Sequence, residues 1–220
     1  MRVTPPIGGV EDPGPNSVAA PPTVEAVPGP DAPLPTCEFP DLRDHLLAHS
    51  VQRGDFTLKS GKRSEWFIDA KATTCSPDGM LLVADALLAV LPDDVTALGG
   101  LTVGADAAAY ATAGIAATRG RMLTAFTVRK EAKGHGMGGR IAGVLGPGDK
   151  VAVTEDAVTR GVSMLEAAEV IRAVGAEPVL LVPVVDRGGT VEAMAAEAGI
   201  PLRALVTAPD LGFRYERDVT

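Results

Sequence analysis

Large aromatic rings are scarce, with Phe, Tyr and Trp making up only 4% of the 220 residues. Gly (25) and Pro (18) are plentiful and 46% of the chain is hydrophobic, so a core has to be assembled mainly from Ala, Val and Leu. That composition suits layered α/β packing in one domain of ordinary size. Cysteine is nearly absent: Cys37 and Cys75 lie far apart, without the spacing of a zinc site or a disulfide framework, and read as reduced and inert. Cations are also in deficit, 20 Lys and Arg against 28 Asp and Glu, a net charge of −8. Such a chain repels a phosphate polymer, which excludes generic nucleic-acid binding. No apolar run approaches the roughly 20 residues that span a bilayer, and no basic segment followed by an apolar one opens the chain. The expectation is a soluble, cytoplasmic protein with no membrane partner.

Ten of the eighteen prolines fall in residues 1–36, a stretch with no apolar period and Arg2 as its one basic residue. It reads as a disordered, solvated extension, and residues 37–220 as the folded domain. After Pro40, Asp41 is placed to cap a helix carrying Leu42, Leu46 and Leu47, and a short extended pair follows around Phe56–Leu58 and Trp66–Ile68, with Lys59–Lys62 as the turn. Beyond Pro77 the apolar segments alternate in type. Helices are expected at Pro77–Leu91, Ala107–Thr118, Ser163–Val174 and Val191–Ala198. Strands are expected at Thr96–Val103, Leu123–Val128, Val151–Thr154, Pro178–Val185 and Leu202–Val206. Alternation needs crossovers, which favour a parallel sheet covered on both faces, with ligands beyond the carboxyl ends of the strands.

The segments that follow the strands carry the chemistry. After Val153 come Thr154, Glu155, Asp156, Ala157, Val158, Thr159, Arg160, Gly161, Val162 and Ser163, and then a helix. Backbone N–H groups at a helix start, joined by the Thr159 and Ser163 hydroxyls, make a cradle for a phosphate dianion. Glu155 and Asp156 would repel phosphate and suit sugar hydroxyls or a bridging cation, so a ribose 5-phosphate fits both halves. The bland reading is that Asp156 and Thr159 merely cap a helix. The strand ending at Val128 runs into Arg129–Arg140, where Arg129, Lys130, Lys133, His135 and Arg140 share a segment with four glycines. Cations on a glycine-rich loop are suited to closing over a polyanion such as pyrophosphate, although a solvated surface loop has the same composition. Trp66 and Phe67 stand beside Lys62 and Arg63, suited to gripping a flat anionic ring, or else belong to the core. Arg187 follows the strongest strand, where its guanidinium could hold a carboxylate.

Assembled in this order, the residues resemble the orotate phosphoribosyltransferases over most of 39–213. The landmarks are Phe56–Ser64, Gly99–Asp106, the Val128–Gly136 loop and the phosphate loop at 155–163, with Asp186-Arg187 and Ala208–Phe213 behind them. The resemblance implies a type I phosphoribosyltransferase fold: a parallel sheet flanked by helices, with a small N-terminal hood (roughly 37–76 plus a C-terminal segment). It also implies a homodimer whose mobile loop reaches the neighbouring site, and the substrates phosphoribosyl pyrophosphate and orotate. Carried over by position, Lys59, Arg129, Lys130, Lys133 and His135 contact pyrophosphate; Glu155 and Asp156 hold the ribose hydroxyls; Ala157 to Ser163 hold the 5-phosphate. Trp66, Phe67, Thr159 and Arg187 define the orotate pocket, and Lys133, His135 and Asp156 are the catalytic candidates. Mg2+ is implied as the cofactor, carried mainly by pyrophosphate and water.

Two departures stand out. The family commonly has Thr-Thr-Gly-Gly-Ser where this chain has Thr159-Arg160-Gly161-Val162-Ser163, and a β-branched Val162 resists positive φ while Arg160 either adds a phosphate ligand or obstructs the cradle. Ser64-Glu65-Trp66-Phe67 replaces a common Ser-Pro-Tyr-Phe and puts Glu65 near an anion pocket. The competing readings are a phosphoribosyltransferase for another heteroaromatic acid and a non-catalytic phosphoribosyl pyrophosphate-binding regulator.

Overall fold

The computed structural model describes residues 34–57, 61, 63–132 and 139–218. Most of the Pro-rich extension, the Lys59–Lys62 turn apart from Gly61, and the Lys133 and His135 positions lie outside the described residues. The hood begins with α1 (Pro40–His49), which has Pro40 in its first turn and Asp41 one position inside the helix rather than at its cap. Strands β1 (Val51–Thr57) and β2 (Arg63–Ile68) pair antiparallel, Val51 opposite Ile68, and the short helix α2 (Lys71–Thr74) leads out of the hood. Helix α3 (Pro77–Val90) starts where Ser76 accepts a hydrogen bond from the Gly79 N–H at 3.2 Å, an N-cap interaction with Pro next in line.

The remaining elements are β3 (Ala97–Leu101), α4 (Asp106–Thr118), β4 (Thr124–Val128), β5 (Ile141–Gly143), β6 (Lys150–Val158), α5 (Val162–Ala173), β7 (Glu177–Asp186), α6 (Val191–Ala198) and β8 (Val206–Thr207). They build a six-stranded sheet in the order β5-β4-β3-β6-β7-β8, parallel except for β5. One face packs on the hood, α3 and α4 through Leu98, Ala152, Leu180 and Val182, and the other on α5 and α6 through Val151, Val153 and Leu181. Burial on both faces explains the unbroken apolar runs of β6 and β7.

Three further details differ from the sequence expectation. Strand β6 extends to Val158, so Glu155 and Asp156 are strand residues rather than loop residues. Its pairing with β7 continues through Val158 opposite Asp186, and those backbone bonds hold the acidic pair in register. Strand β5, too short for a periodicity signal, pairs antiparallel with β4, Val128 opposite Ile141. The final strand is shorter than Leu202–Val206: Leu202 makes only an isolated bridge to Leu181.

Candidate active site

The chain runs from β3 outward to β4 in one direction and from β6 to β7 and β8 in the other, so the sheet order reverses between β3 and β6. A crevice is expected at that reversal, beyond the carboxyl ends of the strands. Strands β3 and β6 pair only from Ala97 opposite Val151 to Gly99 opposite Val153. Past that point the turn 102–105 comes up against the acidic pair at Gly104. A Cβ on Gly104 would lie 1.5 Å from Glu155 Oε1 and 2.8 Å from Asp156 Oδ1, so only glycine permits this approach. The turn is held from behind by Asp106, which accepts hydrogen bonds from Thr102 Oγ1 (2.7 Å) and from Thr127 Oγ1 on β4 (2.8 Å).

Glu155 and Asp156 are both buried. Burial, reinforced by the neighbouring Asp156 charge, pushes the Glu155 carboxyl up to about 8, while the Ser163 hydroxyl beside it pulls the other way. Ser163 is thus engaged with Glu155 as well as standing in the first turn of α5. The Asp156 carboxylate accepts from Ala157 N–H at 2.8 Å through Oδ1, and its Oδ2 pairs with the Lys71 ammonium from α2. The sequence reading missed Lys71, because a lysine after a strand looks like a solvated helix residue.

A pH dependence follows from the raised Glu155 carboxyl. Between its ordinary value near 4.5 and about 8, the folded protein holds a proton that the unfolded chain has released, so ionisation in this interval works against folding. Stability of the unliganded protein is expected to fall as pH rises from about 4.5 to about 8, by on the order of a few kcal/mol. Glu155→Gln should flatten that slope. Thermal melts of both proteins across the interval check it, and parallel slopes would contradict the assignment.

The backbone of the loop after β6 differs from the sequence expectation. Gly161 takes the positive φ of +75°, and Val162 is the first residue of α5, so its β-branch carries no backbone strain; no described non-glycine residue has positive φ. The first-turn N–H groups of a helix have no intrahelical partner and point at whatever sits before it. Arg160 is exposed on this loop. Behind it, a Cβ on Gly188 would meet the Thr159 carbonyl oxygen at 1.7 Å, and Thr190 Oγ1 donates to that same oxygen at 2.9 Å. The loop after β7 therefore buttresses the loop after β6.

At the hood, strand alternation separates the two aromatic neighbours. Trp66 is 5% exposed, alongside Ser64 and Ile68, whereas Phe67 is 39% exposed on the opposite face, with Glu65, and 5.8 Å from the Phe56 ring. The Trp66 indole stacks on Phe213, with ring centroids 4.4 Å apart and 7° between the planes. The Arg187 guanidinium lies 5.0 Å from the indole centroid and donates through Nη2 to Trp66 O (3.1 Å) and Ser64 Oγ (3.3 Å). Its Nε has no hydrogen-bond partner, with Glu216 Oε2 3.8 Å away. Burial lowers the Arg187 pKa below the usual arginine value, partly offset by Glu216. Arg187 thus ties the hood to the end of β7.

Strand β5 makes the cationic segment a hairpin loop. Arg129 N–H donates to Arg140 O and Arg140 Nε donates to Arg129 O, both at 2.7 Å, while Arg129 Nη1 donates to Ile141 O at 3.1 Å. Both ends of the loop are therefore fastened at the carboxyl end of β4. Lys130 is exposed next to that stem. Lys59, Lys133 and His135 lie outside the described residues.

No protein-family model matches the chain. It is 37% identical over 175 residues to an orotate phosphoribosyltransferase of Rhodopirellula baltica, covering 76% of this chain and 90% of that one. It is 41% identical over 178 residues to an orotate phosphoribosyltransferase of Streptomyces avermitilis, covering 78% and 98%. Among solved structures, an orotate phosphoribosyltransferase of Mycobacterium tuberculosis in complex with Fe(III) dicitrate superposes with a TM-score of 0.68 at 35% identity, over 79% of this chain and 98% of that chain. The complex of the M. tuberculosis enzyme with 5-phospho-alpha-D-ribosyl 1-diphosphate superposes with a TM-score of 0.65 at 32% identity, over the same shares.

Proposed function

The chain belongs to the orotate phosphoribosyltransferase family, and from that membership we propose how its residues divide the work of the reaction. The enzyme transfers the 5-phosphoribosyl group of phosphoribosyl pyrophosphate to orotate, giving orotidine 5-phosphate and pyrophosphate in pyrimidine synthesis. The observation that carries the assignment is the buried Glu155–Asp156 pair at the sheet reversal, beside the open N-terminus of α5. Asp156 and Glu155 bind the ribose hydroxyls, and the backbone of Ala157 to Ser163, with Arg160 at its rim, receives the 5-phosphate.

Positive charge develops on the ribose and negative charge on the departing pyrophosphate as the glycosidic bond breaks. Cations in place before that moment stabilise the charge as it forms. Lys59, Arg129, Lys130, Lys133 and His135 take this part, with Lys133 the largest contributor. The ring acid lies against the hood on the Trp66 side, with Arg187 and Thr159; Phe67, which the sequence reading also put in this pocket, stands on the opposite face of β2. A closing loop excludes water, which competes with orotate for the ribosyl centre.

Mg2+ accompanies the donor in this reading. A hard ion that dehydrates reluctantly would be carried mainly by the donor's pyrophosphate and by water rather than by a protein cage. Bound with the donor, it would neutralise charge on the leaving group. The folded unit is 37–220, with 37–76 and the C-terminal segment as the hood, and it works as a homodimer with shared sites. No helix among the described residues is long and apolar enough to cross a membrane. Deleting residues 1–36 should leave the Tm and turnover nearly unchanged, and a large drop in either would show that the extension packs on the domain.

The direct experiment follows the loss of orotate absorbance by purified protein with phosphoribosyl pyrophosphate and Mg2+, alongside donor binding by calorimetry. Turnover is expected. Donor binding without orotate consumption would overturn the proposed ring pocket and leave the donor half of the site standing.

A further inference from the structure

We propose that Lys71 is a positioning residue for the ribose: from the hood, its ammonium locks the Asp156 carboxylate into the orientation that receives the donor's hydroxyls. The proposal rests on the reading that Glu155 and Asp156 form the ribose site.

Lys71 is the first residue of α2 and follows β2 after only Asp69 and Ala70. Asp156 lies 85 residues further on, in the strand at the centre of the sheet reversal. Their pairing is therefore a tertiary contact that joins the hood to the donor site. It fixes the carboxylate completely, because Oδ1 already accepts from Ala157 N–H at 2.8 Å and Oδ2 takes the lysine. With both oxygens fastened, rotation about the Asp156 side chain is stopped, and the lone pairs left over point in set directions. An ionised acceptor held in one rotamer binds a hydroxyl better than one that must be ordered first.

The alternatives for Asp156 are poor without this cation. Its strand neighbour Glu155 is a second buried acid, and Asp69 brings a third carboxylate near Lys71. Gly104 stands so close that the pair cannot swing toward the β3 turn. The Lys71 side chain is partly exposed while that of its partner is buried, so the lysine comes from the solvent side to meet a fixed carboxylate. Arg187 makes a second tie between hood and sheet through Ser64 and Trp66. One tie serves the side of the site assigned to the donor and the other the side assigned to the ring acid, which predicts separable effects on the two substrates.

The test compares Lys71→Met, Lys71→Arg and Asp156→Asn with the unaltered enzyme, each shown to be folded by its melting transition. The readouts are KM for each substrate, kcat, and phosphoribosyl pyrophosphate binding by calorimetry. Lys71→Met should weaken donor binding and raise the donor KM by about tenfold while leaving the orotate KM within about twofold, and Lys71→Arg should recover most of the loss. Donor affinity unchanged in Lys71→Met overturns the proposal, as does an equal rise in both KM values. Should Lys71→Met fail to fold, Lys71→Arg decides: donor affinity near that of the unaltered enzyme upholds the role, and a loss as large as that of Asp156→Asn overturns it. The parent reading fails separately, if Asp156→Asn binds the donor as well as the unaltered enzyme does.

Discussion

Gly104→Ala will cut kcat/KM by about 10²-fold while the protein remains folded, since misplacing a binding group by an ångström costs on that order. The added methyl would stand 1.5 Å from Glu155 Oε1 and 2.8 Å from Asp156 Oδ1. Neither distance is possible, so the Glu155 carboxylate must move away from the turn. Gly104 does not have the positive φ that would make alanine costly by itself, so the effect comes from space alone. The β6 backbone is pinned on one side by β7, so the displacement falls on the Glu155 and Asp156 side chains. Gly114→Ala is the control. It lies inside α4 with nothing within 4 Å of the new Cβ, so it should be neutral or stabilise by about 0.5–1 kcal/mol. Steady-state kinetics and melts on both variants check the pair of expectations. Full activity in Gly104→Ala would show that the acid pair can relax without cost, and would remove it from the ribose site.

Lys133→Ala will lower kcat by about 10²- to 10³-fold and leave the donor KM within a few-fold, the pattern of an interaction made mainly in the transition state. Lys133 lies outside the described residues, so the expectation rests on its place in the sequence and on the anchored ends of its loop. The stem pairing of Val128 with Ile141, and of Arg129 with Arg140, fixes where the loop leaves and re-enters the sheet. Twelve residues from Arg129 to Arg140, four of them glycine, leave from that stem beside the proposed leaving-group site. Single-turnover measurements at saturating donor separate the chemical step from release of product. A change confined to the donor KM would contradict a transition-state role for Lys133 and assign it to ground-state binding.

Much of this enzyme was legible in the amino-acid order. The alternating apolar segments gave α3 to α6 and the strands β3, β4, β6 and β7 to within a few residues, because two-faced burial writes long apolar runs and helical faces write a 3.6-residue period. The Glu155–Ser163 segment and the cationic loop were visible because chemistry there needs contiguous residues: a strand, a turn and a helix start make one phosphate cradle. Even the opposite exposure of Trp66 and Phe67 is a local consequence of strand alternation, available once Arg63–Ile68 is taken as extended.

Only the tertiary structure decided what non-adjacent segments do to one another. Three residues gave no periodic signal for β5, yet its pairing with β4 turns the cationic segment into an anchored hairpin loop. Gly104 looked like one small residue among many until the Glu155 carboxylate was found against it, and Gly188 until the Thr159 carbonyl was. Val162 raised a conflict in the sequence that the backbone removes by giving the left-handed turn to Gly161. Lys71 and Asp156, and likewise Arg187 and Ser64, meet across 85 and 123 residues. Local propensity and periodicity act over a few residues and set the elements and their order. Contacts of such long range depend on how sheet, hood and loops close around one crevice, which no single segment encodes.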